Sequence, residues 1–374
     1  MKTHLFVALG TGLFVLVVGL SGALLVFESE IDHVLNWKLY YVDPQPHNLS
    51  NNEMLLKVRA SFPKMNPGAL IFASSPGLSC QFALPSGSVF VNPHTGEILG
   101  FRSVQERENG LARTLHVLHT RLLAGETGER IVGAVSLLSA FLVLSGIILW
   151  WPLRIFKIRR GVPLKKFVFD AHNALGIYAA LFLLLITLTG AIIAFEKVTN
   201  PMINSLNTTP PPARPSKSSG DARKGFMSLD EAVRVANVAL PGAFISSINI
   251  PNGSPDLVVA QMKFPEDRTP SGRSRVFIDP YSGRVELIED TRKAQLGTWI
   301  QNQKRSLHTG DVFGLPSRLI WFAASLILVA QVITGMIMWW KPRKPRPVAA
   351  AVAAVEKAPA VPATPPETTT PEKP

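Results

Sequence analysis

The sequence predicts a membrane protein: an α-helical four-helix transmembrane bundle carrying two α+β modules on one side, produced by internal tandem duplication. Three observations predict it. The 374-residue chain is 47% hydrophobic and gathers that content in four blocks, Leu5–Phe27, Ile131–Leu153, Asn173–Phe195 and Leu319–Trp340. None of the four contains Asp, Glu, Lys or Arg, and the two long intervals between them repeat each other's wording. Each block has 22 or 23 residues, and about 20 apolar residues rising ~1.5 Å each cross a ~30 Å hydrocarbon core. A soluble enzyme is excluded. So is a disulfide scaffold, because Cys80 has no partner; within Leu78–Leu84 it reads as a small buried hydrophobe.

Taken in order, residues 1–29 form the first membrane helix. The block is long for a signal peptide and lacks a small-residue cleavage site before Glu28, so it reads as a retained anchor. Residues 30–114 form the first outside module. It opens with a capping-box signature, Ser50-x-x-Glu53, before an amphipathic stretch, and strand-like alternation follows. Residues 115–153 are an approach segment and the second helix, 154–170 a basic loop, and 171–197 the third helix. The second module, 198–304, repeats the signature as Ser228-x-x-Glu231 and contains a Pro- and Ser-rich flexible loop at 207–224. Residues 305–341 are the second approach segment and the fourth helix. The Ala-, Pro-, Thr- and Glu-rich tail at 342–374 cannot build a core and is expected to be disordered.

The formal net charge of +12 is placed for topology, which argues against nucleic acid as a partner. Arg154, Lys157, Arg159, Arg160, Lys165 and Lys166 crowd the loop between blocks two and three, and Lys341, Arg343, Lys344 and Arg346 follow block four. The positive-inside rule puts both clusters in the cytoplasm, so both termini are expected there and both modules outside. The pairs Trp150–Trp151 and Trp339–Trp340 end their blocks at the inner interface, where aromatic belts lie.

The repeat fixes the architecture. An offset of 168, the separation of His4 and His172, also carries Gly22 to Gly190 and Phe27-Glu28 to Phe195-Glu196. An offset of 189 carries Leu118-His119-Thr120 to Leu307-His308-Thr309, Gly146 to Gly335, and one Trp pair to the other. The hairpin texts VFVNPHTGEILGF (89–101) and VFIDPYSGRVELI (276–288) each place Pro and Gly in a tight turn between strands. Both units have the same orientation, so a pseudo-twofold axis along the membrane normal should relate them.

The hairpin text, the Leu-His-Thr segment and the Gly-x4-Trp-Trp helix ends together resemble the PepSY-associated transmembrane family. Two PepSY-like modules on four helices resemble, within it, the FoxB-type inner-membrane siderophore-iron reductases. The resemblance covers roughly residues 1–345. It implies two b-type haems held between the helices and reduction of ferric siderophores on the periplasmic side.

Eight histidines are present, and four survive the repeat: His4, His172, His119 and His308. Singly, a His at a helix end is more often an interfacial or capping group than a ligand. Paired across an axis, His4 and His172 reach one depth near the cytoplasmic face, and His119 and His308 another on the periplasmic side. Two imidazoles facing an axis can bind one haem iron from both sides, which suits electron transfer. His116, one turn before His119, is the alternative ligand, although its repeat partner is Arg305. His33 aligns with Pro201, His47 has no supporting context, and His94 is expected as a solvent-facing turn residue. The glycines in the blocks fit either helix packing or a haem slot.

No nucleotide-binding fingerprint follows a strand, and the cytoplasmic loop is too short for a flavin or nicotinamide domain. An electron donor must therefore be another molecule, such as membrane quinol or a cytoplasmic reductase. His119 precedes Ile131 by 12 residues, so a straight helix would leave it ~18 Å outside the hydrophobic block. Gly125, Gly128, Gly310, Gly314 and Pro316 point to a bend that returns it. The substrate, a ferric siderophore, is expected in a cleft between the two modules, with Trp299 and Lys304 as candidate contacts. A siderophore or peptide permease and a PepSY-type peptidase-regulatory module are the alternative functions; the second leaves the matched histidines unexplained.

Overall fold

The computed structural model describes residues 1–218, 225–251 and 256–340. The expected disordered tail, the cluster Lys341, Arg343, Lys344 and Arg346, and positions 219–224 of the flexible loop lie outside the described residues.

In the first half, helix α1 (Lys2–Leu25) is followed by two short helices, α2 (Glu28–Leu35) and α3 (Trp37–Tyr40), which the sequence pattern did not reveal. Helix α4 (Asn51–Ser61) begins on the expected capping box: Ser50 Oγ accepts from the Glu53 amide at 3.2 Å, and the Glu53 carboxylate accepts from the Ser50 amide at 3.0 Å. Strands β1 (Ala69–Ile71), β2 (Cys80–Leu84), β3 (Gly87–Val91) and β4 (Ile98–Ser103) form an antiparallel meander. Helices α5 (Val104–Glu108), α6 (Leu111–Arg121) and α7 (Gly125–Trp150) complete the unit.

The second half repeats this plan with α8 (Leu164–Ala194), α9 (Glu196–Asn204), α10 (Leu229–Ala239), β5 (Phe244–Asn249), β6 (Val258–Lys263), β7 (Ser274–Ile278), β8 (Val285–Glu289), α11 (Leu296–Thr309) and α12 (Leu315–Trp340). Helix α8 begins at Leu164 rather than at 171, so Lys165 and Lys166 belong to its first turn. The α10 cap is only half a capping box. Ser228 accepts from the Glu231 amide at 3.1 Å, but the Glu231 carboxylate turns to Arg234. Both hairpins carry a bulge at the same place, Phe90/Val91 and Phe277/Ile278.

Helices α1, α7, α8 and α12 are long and apolar enough to cross a membrane. At the sheet end each half bends as the sequence anticipates. Leu122 and Leu123 take left-handed conformations (φ 50° and 58°) between α6 and α7, at an expected cost of order 1–3 kcal/mol each. A Cβ at Gly128 would collide with the Arg121 carbonyl, so only glycine lets the first turn of α7 pass so close. In the other half Gly310 (φ 83°) and Gly314 (φ 66°) make the turn. Arg318, at the start of α12, ties the bundle together by donating to the Val26 carbonyl at 3.0 Å and to Glu30 at 2.6 Å.

The two modules do not face each other across a cleft. They share one eight-stranded antiparallel sheet, ordered β4-β3-β2-β1-β5-β6-β7-β8. The three-residue strand β1 pairs with β2 on one side and β5 on the other, with Leu70 opposite Ile248 at the join. Left unpaired, β1 and β5 would each expose a row of backbone donors and acceptors. One hydrophobic core runs across the join, containing Leu70, Phe82, Val89, Ile248, Met262 and Val276 beneath α4 and α10. Cys80 lies in that core as expected, and burial pushes its thiol pKa up. The α4 and α10 N-termini cap each other: Asp230 accepts from the Asn51 and Asn52 amides at 2.8 and 3.1 Å, and Asn52 accepts from the Leu229 amide at 2.9 Å.

Candidate functional site: two histidine pairs and a cavity beneath the sheet

At the end of the bundle remote from the sheet, His4 on α1 and His172 on α8 line one cavity of about 750 Å³. That volume lies within the range of cofactor sites, about 300–1,000 Å³. Its wall is mostly apolar and includes Val15, Leu142, Leu183 and Val332, with Trp150, Lys165 and Lys166 at one end. His4 Nδ1 lies 2.8 Å from Ser145 Oγ, and His172 Nδ1 lies 2.9 Å from Thr334 Oγ1. Ser145 and Thr334 are counterparts under the 189-residue offset. Each hydroxyl also reaches a backbone carbonyl, Leu142 at 3.2 Å or Ala330 at 2.6 Å, and a hydroxyl that donates there accepts from Nδ1–H. In that tautomer Nε2 of each ring is the lone-pair nitrogen.

At the sheet end, α6 and α11 bring His119 and His308 together, with ring centres 6.0 Å apart. Here the Nδ1 partners are carbonyls, Val18 for His119 at 2.9 Å and Ile186 for His308 at 3.1 Å. A carbonyl only accepts, so Nδ1 carries the proton and Nε2 is again free. Ser21 and Thr189 approach the same two Nδ1 atoms at 3.4 and 3.1 Å. Metal–imidazole bonds of about 2 Å on each side of one ion would put two ring centres about 6 Å apart. The ring-centre separation of the outer pair is of that size. The Nδ1 bonds also supply the second-shell orientation that metal-bound histidines show.

Val18 follows His4, and Ile186 follows His172, by the same 14 residues, which places the two pairs ~21 Å apart along the helices. The bends therefore set the outer histidines against the bundle rather than beyond it. The glycines take sides as well. A Cβ at Gly22 would lie 2.8 Å from His119 Cε1, and one at Gly190 3.1 Å from His308 Cε1. At Gly146 and Gly335 the corresponding distances to His4 and His172 are 3.7 and 3.6 Å, ordinary contacts.

A second cavity, of about 630 Å³, lies on the far side of the outer pair, between the first-half sheet, α2, α5 and α6. Arg102, Arg107, Arg113 and Arg305 line it together with the carboxylates of Glu28, Asp32 and Glu108 and with His33, Tyr40 and Phe90. Asp32 organises one wall. It accepts from Tyr40 Oη at 2.6 Å and twice from Arg102 Nη1, each at 2.9 Å. Burial, reinforced by Asp32, pushes the Tyr40 phenol pKa well up and keeps it protonated. His116 faces this cavity, with Nδ1 4.0 Å from Glu28. Burial, opposed by Glu28 and reinforced by Arg305, holds it below the ordinary histidine value.

The remaining sequence candidates fall elsewhere. Lys304 pairs with Glu196 at 2.9 Å and Asn200 at 2.8 Å, and Trp299 is exposed outside the lining of this cavity. His33 packs on Tyr40, with ring centres 4.1 Å apart. His94 is buried, contrary to expectation. Its Nδ1 and Nε2 each lie 3.1 Å from a carbonyl, of His47 and Pro76, because the chain before α4 and the β1–β2 loop both fold over the hairpin turn. Sequence reasoning missed Ser145, Thr334, Asp32, Tyr40 and the bidentate Arg159–Asp170 pair (2.6 Å) two residues before His172. Only the matched Ser145/Thr334 positions left a signal, through the 189-residue offset.

A family model for the PepSY-associated TM region matches residues 1–341. No curated protein matches the chain.

Proposed function

The chain belongs to the PepSY-associated transmembrane family, and from that premise we propose a di-haem electron-transfer protein that reduces ferric siderophores on the periplasmic side of the bacterial inner membrane and releases Fe(II). His4 and His172 would hold one haem b, and His119 and His308 the other. So held, the two groups would supply one-electron chemistry between a donor, such as membrane quinol or a cytoplasmic reductase, and the sheet end. The observation that carries this reading is the Nδ1 bonding of all four rings. It would leave Nε2 of each ring free as a ligand, with His4 and His172 lining one cavity and His119 beside His308, one histidine of each pair from each half.

The rest of the task falls to the chain. Ser145, Thr334, Val18 and Ile186 fix tautomer and ring angle, so each pair is organised before anything binds. Apolar walls around the inner pair would bury the faces of a macrocycle bound there. A haem held by two imidazoles would supply outer-sphere electron transfer rather than oxygen activation. The Lys and Arg residues between α7 and α8 support a cytoplasmic location for that end and a periplasmic one for the sheet.

Spectroscopy of the protein expressed with haem supplied tests this reading. Two bis-imidazole haems are expected. His308→Ala should remove one and abolish reduction of an external chelate while leaving the other spectrally intact, and His172→Ala should remove the other. Absence of a Soret band would sink the proposal.

A further inference from the structure

We propose that the cavity beneath the first-half sheet is a one-sided docking site for an anionic ferric chelate with oxygen donors, so that the protein takes one substrate on one side of its pseudo-twofold axis. This deepens the reductase reading and rests on it. His116 stands one turn before His119, and Arg305 one turn before His308, ~4.5 Å along each helix. Both line the cavity, which therefore opens within a helical turn of the outer pair.

The duplication has diverged here. Under the offsets that match the two halves, Asp32 becomes Asn200, His33 becomes Pro201, Tyr40 becomes Thr208 and Arg102 becomes Glu289. On that second side the polar groups satisfy one another. Lys304 is held by Glu196 and Asn200, Glu289 by Arg214 at 2.6 Å and Arg275 at 3.6 Å, and Thr208 donates to Gln295 at 2.9 Å. On the first side two cations are left over. Arg107 reaches only Glu108, at 4.0 Å, and Arg305 has no acidic partner among the described residues. A guanidinium presents a planar fork that matches anionic oxygens in pairs.

The test uses gallium(III) enterobactin, a redox-inert tris-catecholate anion, titrated into the haem-loaded protein. Binding should weaken as salt rises, and Arg305→Gln or Arg107→Gln should weaken it by about ten- to hundredfold, the worth of a charge-assisted hydrogen bond. Haem content and spectrum should be unchanged. Arg214→Gln, on the second side, should bind like wild type, and gallium(III) desferrioxamine B, a cationic trihydroxamate, should be indifferent to all three variants. Wild-type affinity in both cavity variants, an equal loss in Arg214→Gln, or no binding to the wild-type protein overturns the proposal. The Soret band reports separately on the haem reading, so the two can fail independently.

Discussion

Leu70 stands directly opposite Ile248 in the central strand pair, and each is the other's counterpart under the 178-residue offset that also relates Ser50 to Ser228. On either side Ala69 faces Asn249 and Ile71 faces Ser247, a register symmetric about that point. The pseudo-twofold axis thus passes between these two buried side chains and, deeper, between His119 and His308. A slip of one residue in β1 would turn Leu70 out of the core, so the hydrophobic core and the outer pair are aligned by one register.

The two classes of glycine should respond differently to the same small change. Gly22→Ala places a methyl 2.8 Å from His119 Cε1, closer than carbon atoms tolerate, and should cost the outer haem. Gly335→Ala meets His172 at 3.6 Å and should keep both haems. Haem-to-protein ratios of the purified variants decide it; equal ratios in the two would contradict the close-approach argument.

His116 and His119 should separate cleanly. His116 faces the cavity and Glu28 while His119 faces His308. His116→Ala should therefore retain two haems with unchanged spectra, whereas His119→Ala retains one. Loss of a haem in His116→Ala alone would reassign the ligand.

The reciprocal caps make α4 depend on a residue of α10. Asp230→Ala removes the acceptor for the Asn51 and Asn52 amides and should destabilise the sheet end by about 1–2 kcal/mol, in line with other lost caps. Amide exchange should quicken at Asn51 and Asn52 as well as in α10. An effect confined to α10 would show that the cross-cap contributes nothing.

Acid should loosen one hairpin before the other. Burial alone would raise the Asp279 pKa, but hydrogen bonds from Ser218, Ser282 and Tyr281 outweigh it and hold the carboxyl well below the usual range. A depressed carboxylate stabilises the fold above its unfolded value, about 3.9, and that stabilisation is lost as pH falls through the folded value. Asn92 does the same work in the first hairpin, accepting from the His94 amide at 2.9 Å, without a charge. Exchange at Tyr281 and Ser282, corrected for intrinsic rates, should rise between about pH 5 and 2, while that at Thr95 and Gly96 should not. Asp279→Asn should abolish the difference; its persistence in that variant would refute the assignment.

Much of this was legible in the sequence for a physical reason. Membrane spans declare themselves through length and missing charge, and duplication doubles every positional signal, so the four histidines and their pairing could be read before any coordinates. The continuous sheet could not. Strand β1 has three residues, too few for a period, and its partner β5 lies 178 residues away. The Nδ1 partners were hidden because Ser and Thr in membrane helices ordinarily bond their own backbone, as Ser145 and Thr334 also do. The cavity escaped for the opposite reason to the histidines. Its chemistry lies at positions where the two copies differ, Asp32, Tyr40, Arg102 and His116, and a search for repetition passes over them.

The composition of each pair bears on biogenesis. Each takes one histidine from each half, so the first half leaving the ribosome carries His4 and His119 with neither partner present. The inner ring at His172 is steadied by Thr334, near the end of the last spanning helix, and His308 precedes that helix by only a short turn. Both pairs are thus completed almost together, only after the second half has been made, and under the di-haem reading neither could take up its cofactor before that stage.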